Sequence, residues 1–248
     1  MTAVPRTALT SMLLRSFSAQ GSWNYRTLIG CGFAFSLLPV LRVIYRDDPT
    51  RFDAAVRRHA GLFNSHPYVT PLALGAVTVL EGVEDPAVIE RFKQGVRGSL
   101  GSLGDRLIWA GWRPVCLLAA VLVILLGVTW SVAVIGFLLL YNTGHVFVRV
   151  WSQRVGLTYG KRVGERLRSA PIERLQQMLQ AAGTFLLGVL LPLIATGRLT
   201  HTSLGWPWIA AAAVAGLLGV LYGARVRVPV TFVMAAVVLL GIIIGIGR

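Results

Sequence analysis

The sequence predicts an all-α, polytopic integral membrane protein, with broken or re-entrant helices in its N-terminal half and regular transmembrane helices in its C-terminal half. Three observations carry this. Of the 248 residues, 55% are hydrophobic and only 14% charged, against about 25% charged in soluble domains. The mean hydropathy of +0.68 is too high for a surface that water must cover. The apolar runs also change character, being short and proline-interrupted before residue 113 and long and continuous after it. No internal repeat or low-complexity linker divides the chain, so 1–248 reads as one membrane domain. Within it, 1–113 is the broken, mainly cytoplasm-facing part and 114–248 the transmembrane part.

Taken in order, residues 1–25 lack a continuous apolar stretch followed by a small-residue cleavage site, and do not read as a signal peptide. Leu9, Met12, Leu13 and Phe17 fall at helical spacing and predict a short amphipathic helix. Segments 28–44 and 67–83 are apolar but shorter than the roughly 20 residues a span needs, and they contain Pro39, Pro67 and Pro71. Backbone broken in this way sits at membrane depth only where protein or a water-filled cavity satisfies its free groups. Paired interrupted segments point to a transporter binding site; interfacial helices without a ligand role are the alternative. The apolar run 114–148 would measure about 52 Å as one helix, so it reads as two limbs meeting near Thr129, Trp130 and Ser131. Residues 181–197 (with Pro192), 206–223 and 228–247 complete the predicted spans. Between 149 and 174 seven basic residues face two acidic ones, which places this predicted loop in the cytoplasm. Residues 1–113 hold 13 basic and 8 acidic residues and face the same side.

The formal charge of +14 would point to nucleic acid in a soluble protein. In a membrane protein it is the loop charge that faces anionic lipid, and no nucleic-acid partner is expected. Cys31 and Cys116 lie in apolar runs without metal-ligand spacing, so both read as buried small hydrophobes. His59 and His66 are two helical turns apart, about 10 Å, too far to share one ion. No metal, cofactor or nucleophilic centre is expected: neither a G-x-S-x-G elbow nor a phosphate loop is present.

Three polar breaks remain. FNSHPYVTP, residues 63–71, reads as a helix start, with Asn64 or Ser65 capping and Pro67 in the first turn. GSLGSLGDRLIWAGWRP, residues 98–114, sets Asp105 among glycines. An acid at membrane depth is costly and points to function, unless Asp105 pairs with Arg106 or Arg113 at the interface. GSWNY, residues 21–25, with Gln20 before it, offers amides and aromatics suited to a hydroxylated ligand; Trp and Tyr are equally at home as interfacial anchors.

Together GSWNY with GFAFSLLPVL, RRHAGLFNSHPY (57–68), SLGSLGDRLIW (99–109) and YNTGHVFVRVWSQRVGLTYGKRVG (141–164) resemble the IID membrane subunit of mannose-family phosphotransferase-system sugar permeases. The resemblance runs in order from about residue 12 onward. It implies a multi-pass subunit of a bacterial inner membrane that forms a hexose pathway with a IIC subunit, as a hetero-oligomer. A cytoplasmic IIAB component would phosphorylate the sugar, so this chain would be a transport component and not itself the enzyme. By position, Gln20, Asn24, Asn64, His66 and Asp105 become candidates for lining the pathway or the subunit interface. Ser99, Ser102 and Arg106 depart from the family pattern GPLAGIGD followed by Pro or Ser. These departures give weight to a second reading, a regulatory or vestigial membrane protein that keeps the fold without sugar transport.

Overall fold

The computed structural model describes residues 3–198, and among them every regular element is helical. The predicted spans 206–223 and 228–247 lie outside the described residues. α1 (Arg6–Ser16) is the predicted short helix, but of the predicted apolar face only Met12 is fully buried. Met12 is its buried anchor, while Phe17 falls just past its end and is exposed. A 3-10 turn, Ala19–Ser22, leads into α2 (Gly30–Ile44). α3 (Pro49–Ala60) is capped by Asp48, whose carboxylate accepts the Arg51 N–H, and has Pro49 in its first turn.

Pro39 does not interrupt α2. A proline there removes the hydrogen bond to the carbonyl of Phe35, four residues back. Arg15 from α1 donates to that carbonyl at 3.4 Å and lays its guanidinium over the Phe35 ring. A neighbouring helix thus satisfies the group that proline leaves free.

α4 (Thr70–Leu80) is the centre of the N-terminal half, buried along nearly its whole length. At 11 residues it is about 16 Å long, half a bilayer core. It crosses α7 (Trp130–Tyr159) at a point where only glycine fits. A Cβ on Gly156 would meet the Leu72 carbonyl oxygen at 2.1 Å, and one on Gly75 the Gln153 carbonyl oxygen at 2.6 Å. Small residues at such a crossing let two backbones touch, which in a membrane replaces the missing hydrophobic drive. Met12, Phe33, Leu37, Leu72 and Val155 pack around the crossing as one core.

α5 (Pro86–Gly104), capped by Asp85, runs without a break through a π-helical stretch, Asp105–Trp112, into α6 (Arg113–Leu125). Pro114 lacks an N–H for the carbonyl four residues back, and the wider helical register lies just before it. The continuous helix Pro86–Leu125 and the helical segment Trp130–Ser169, of which α7 is the larger part, are both long and apolar enough to cross a bilayer. Between them Gly127, at φ 94, turns the chain, so the run 114–148 is two limbs joined at 126–129, as expected. α9 (Ile172–Arg198) contains the predicted segment 181–197 and packs on α6. Leu117, Ile135, Leu139 and Phe147 stand exposed on α6 and α7, the outward apolar surface of a membrane protein.

Three expectations are corrected. Residues 149–174 are not a loop. α7 continues to Tyr159, ends at Gly160 in a positive-φ conformation, and is followed by a short helix, α8 (Val163–Ser169). Nothing before Gly160 breaks a helix, and Arg149 is only 2% exposed. Second, the helix after FNSHPY starts at Thr70 with Pro71 in its first turn, without a side-chain cap from Asn64 or Ser65. The carbonyl of His66 accepts the N–H of Val69 and of Thr70, so the backbone has turned before the helix begins. Third, Cys116 is buried but Cys31 is exposed, because α2 presents that face away from the core.

Candidate functional site

The segment 63–70 is placed by its two ends. Phe63 pairs by backbone with Thr27 and Ile29, at 3.2 and 3.1 Å, which joins FNSHPY to the turn after GSWNY. Thr70 opens α4. Between them His66 is buried, and its Nδ1 accepts the Tyr68 N–H at 3.2 Å. That bond makes the ring a neutral Nε2–H tautomer. The Nε2 atom is buried without a hydrogen-bond partner, and the ring meets the edge of Trp109 at 5.2 Å. The ring lies against Gly104, the last residue of α5: a Cβ there would come within 2.2 Å of the His66 Cβ.

The candidate residues divide into two groups. Asn64, His66 and Asp105 share this region: Asn64 is exposed and its Nδ2 approaches Gly101, while Asp105 is exposed at the first position of the π-helical stretch. No ion pair joins Asp105 to Arg106 or Arg113 among the described residues. Gln20 is exposed on the 3-10 turn. Asn24 is spent locally. Its Oδ1 accepts from Arg26 and Thr27 N–H, and its Nδ2 donates to the Ser22 carbonyl and the Thr27 hydroxyl. That set of bonds leaves the side chain building a turn, with Leu28 held at φ 54.

A second ring of groups backs His66. The Tyr68 ring stacks on His145 at 3.7 Å, and its hydroxyl meets that of Tyr141 at 2.6 Å. Arg149 donates from Nε to His145 Nε2 at 2.7 Å and from Nη1 to the Ser16 carbonyl and hydroxyl, at 2.9 and 3.0 Å. Its guanidinium also lies over the rings of Phe17 and Tyr68. No carboxylate pairs with Arg149 among the described residues. The charge is balanced by ring faces and by the negative end of α1, whose last carbonyl it holds. Sequence reasoning missed this group. The available signal was His145, Arg149 and Ser152 at helical spacing on one face of an apolar run.

A third polar cluster lies at the far end of α4. Glu81 Oε1 accepts from Arg58 at 2.6 Å and His59 at 2.7 Å, and its Oε2 from the Tyr45 hydroxyl at 2.5 Å. This ties α2 and α3 to the turn after α4.

The mannose/fructose/sorbose family IID component of the phosphotransferase system (PTS) matches this chain over residues 3–203. The chain belongs to this family. This IID component is 29% identical over 191 residues to the mannose-specific EIID component of Escherichia coli K12, an alignment covering 73% of this chain and 66% of that protein. The chain thus spans just under two thirds of that relative. The sorbose-specific component of Klebsiella pneumoniae is 26% identical over 190 residues, covering 73% of this chain and 68% of that one. The fructose permease IID component of Bacillus subtilis is 27% identical over 187, covering 73% and 66%. In fold, the chain is similar to one in the cryo-EM structure of the mannose transporter ManYZ with microcin E492, with a TM-score of 0.61 at 23% identity, covering 98% of this chain and 96% of that one. Another solved membrane protein gives 0.67 at 23% identity, with 96% of each chain covered. IID components are membrane proteins, and both long apolar helices of this one accord with that.

The contact between His66 and Gly104 sets a prediction for this IID component. Gly104→Ala forces a methyl group into the His66 side chain, which is packed and cannot swing away. Overpacking of this kind costs roughly 1–3 kcal/mol. The expected result is normal membrane insertion with a lowered melting temperature in detergent, whereas Gly98→Ala, where a Cβ meets open space within the same helix, does not lower it and raises it slightly through helix propensity.

Proposed function

We propose that this chain is the IID half of a two-subunit sugar permease in a bacterial inner membrane. It crosses the membrane several times, with the short helices α2 and α4 as re-entrant elements. Paired with a IIC subunit it forms the pathway for a hexose-type sugar, and a IIAB component phosphorylates that sugar. The observation that carries this reading is the seating of His66 on Gly104, which brings Asn64 and Asp105, both exposed, to one place beside an irregular helical stretch. π-helical segments are rare and frequently lie at functional sites. Hydroxyl-rich ligands need amide and carboxylate partners of this kind. Asn64 and Asp105 would contact sugar or the partner subunit. His66 supports the loop that holds them, and Asn24 supports the neighbouring turn that carries Gln20.

The test is Asp105→Asn in cells whose sugar uptake depends on this chain. Uptake should fall at least tenfold, about 1.4 kcal/mol in transition-state terms, while membrane abundance stays normal. Unchanged uptake at unchanged abundance removes Asp105 from the pathway. Absence of any uptake by the unmodified chain with its IIC and IIAB partners would instead favour the regulatory reading.

A further inference from the structure

The GSWNY turn is built more firmly than a connecting loop requires. The Asn24 side chain closes it by donating two hydrogen bonds and accepting two, a two-way backbone pairing joins Asn24 to Leu28, and a further pairing ties it to Phe63. Leu28 is held in the left-handed region, where a side chain other than that of glycine is strained. What this rigid turn presents is apolar. Trp23 is 48% exposed and Tyr25 is 91% exposed, the two rings meeting edge to face at 4.9 Å. Among the described residues, neither ring is buried in the fold.

The charges next to the turn in sequence have one sign. Residues 1–46 contain no Asp or Glu; Arg15 precedes the turn and Arg26 lies in it, whereas Arg46, past the far end of α2, pairs with Asp47. Arg26 adjoins Tyr25 and is exposed, and Arg15 lies over Phe35 on the neighbouring helix, itself exposed. Neither Arg15 nor Arg26 is paired with a carboxylate among the described residues. Trp and Tyr favour the headgroup level of a bilayer, where one end of the ring is apolar and the other wet. Arginines beside them attract anionic headgroups.

We infer that the turn 21–27, carrying Trp23 and Tyr25 and flanked by Arg15 and Arg26, is an interfacial anchor that sits in the headgroup layer of an anionic leaflet. Its work is to fix the depth of the joint between the turn and Phe63, and so of the segment 63–70. The inference rests on the chain being a membrane protein and does not depend on the sugar pathway.

The experiment places the full chain in vesicles of phosphatidylcholine, with and without phosphatidylglycerol, and compares it with Trp23→Phe. The difference in emission isolates Trp23 from the other tryptophans, and Phe retains the ring packing. Lipids with a nitroxide near the headgroup should quench that difference signal strongly, and lipids labelled deep in the chain weakly. A labelled anionic lipid should quench more than a labelled zwitterionic one. Arg15→Gln with Arg26→Gln should reduce the anionic preference by about fivefold per arginine while leaving the zwitterionic quenching in place. Quenching by aqueous iodide but not by lipid nitroxides would put the turn in water and overturn the inference. Protection from both would show a protein surface covering it, and would overturn it equally.

Discussion

Glu81→Gln should destabilise the detergent-solubilised protein by about 3–5 kcal/mol, the cost of breaking a buried ion pair by removing one partner. The carboxylate is fully enclosed and receives Tyr45, Arg58 and His59 together. With an amide in its place, Arg58 keeps its charge with no counter-ion, and one of the three donors faces an N–H₂ group. Glu81→Ala should be no milder. The measurement is the melting temperature at pH 7.5, with Glu84→Gln as the control, since Glu84 pairs with Lys161 in a more exposed setting.

The same cluster predicts a direction with pH, and its members lie outside the two long apolar helices. Burial pushes the His59 pKa down. His59 therefore stays neutral, its Nε2–H donating to Glu81 and its Nδ1 left without a partner. Below about pH 6.5 the unfolded chain takes up a proton that folded His59 refuses, so stability falls as pH drops. For Glu81, burial acts to raise the pKa, but the bonds from His59, Tyr45 and Arg58 outweigh it and hold the carboxyl below the ordinary carboxylate range. Its contribution is complete above that range and is lost as pH falls through and below it. Both groups thus act in one sense. The melting temperature should decline from pH 7 to pH 5 and decline faster below pH 4.5, with His59→Gln flattening the upper part alone.

Arg149→Met should cost about 3 kcal/mol, since it leaves the buried Ser16 carbonyl and His145 without their donor, and Arg149→Lys should recover little of it. The guanidinium joins α7 to the end of α1 through Ser16 and holds His145 through Nε, with two rings against its faces. An ammonium group is a point charge without the planar fork or the stacking surface, so Lys is not a conservative change here. Because His145 stacks on Tyr68, the loss should extend to the 63–70 segment. Hydrogen exchange should quicken at Val69 and Thr70 in Arg149→Met while Ala55, in α3, is little changed.

The parts of the fold legible in the sequence were those that depend on apolar length and on breakers. The joint near Thr129 follows from a run too long for one span, and the shortness of α2 and α4 from their bounding polar residues. FNSHPY and the Gly-rich stretch before Asp105 were recognisable as polar breaks, and the structure brings them into contact through Gly104. What was hidden depends on partners distant in sequence. Arg149 counted as loop charge because it closes an apolar run, yet an arginine sustains a helix, and its acceptor lies on α1. Asn24 read as a free amide because its bonds are made only once the turn exists. Ser65 read as a cap, whereas the His66 carbonyl takes the N–H groups that open α4. The Glu81 cluster draws on α2, α3 and the turn after α4, an assembly no local pattern announces.

The central claim is that this chain is one half of a two-subunit permease, and co-purification tests it most directly. The chain is expressed with its candidate IIC subunit, tagged on this chain alone, and purified in mild detergent. Stoichiometric recovery of IIC with the tagged chain is the expected result. Recovery of a stable, folded chain without IIC would contradict it and bring the regulatory reading forward.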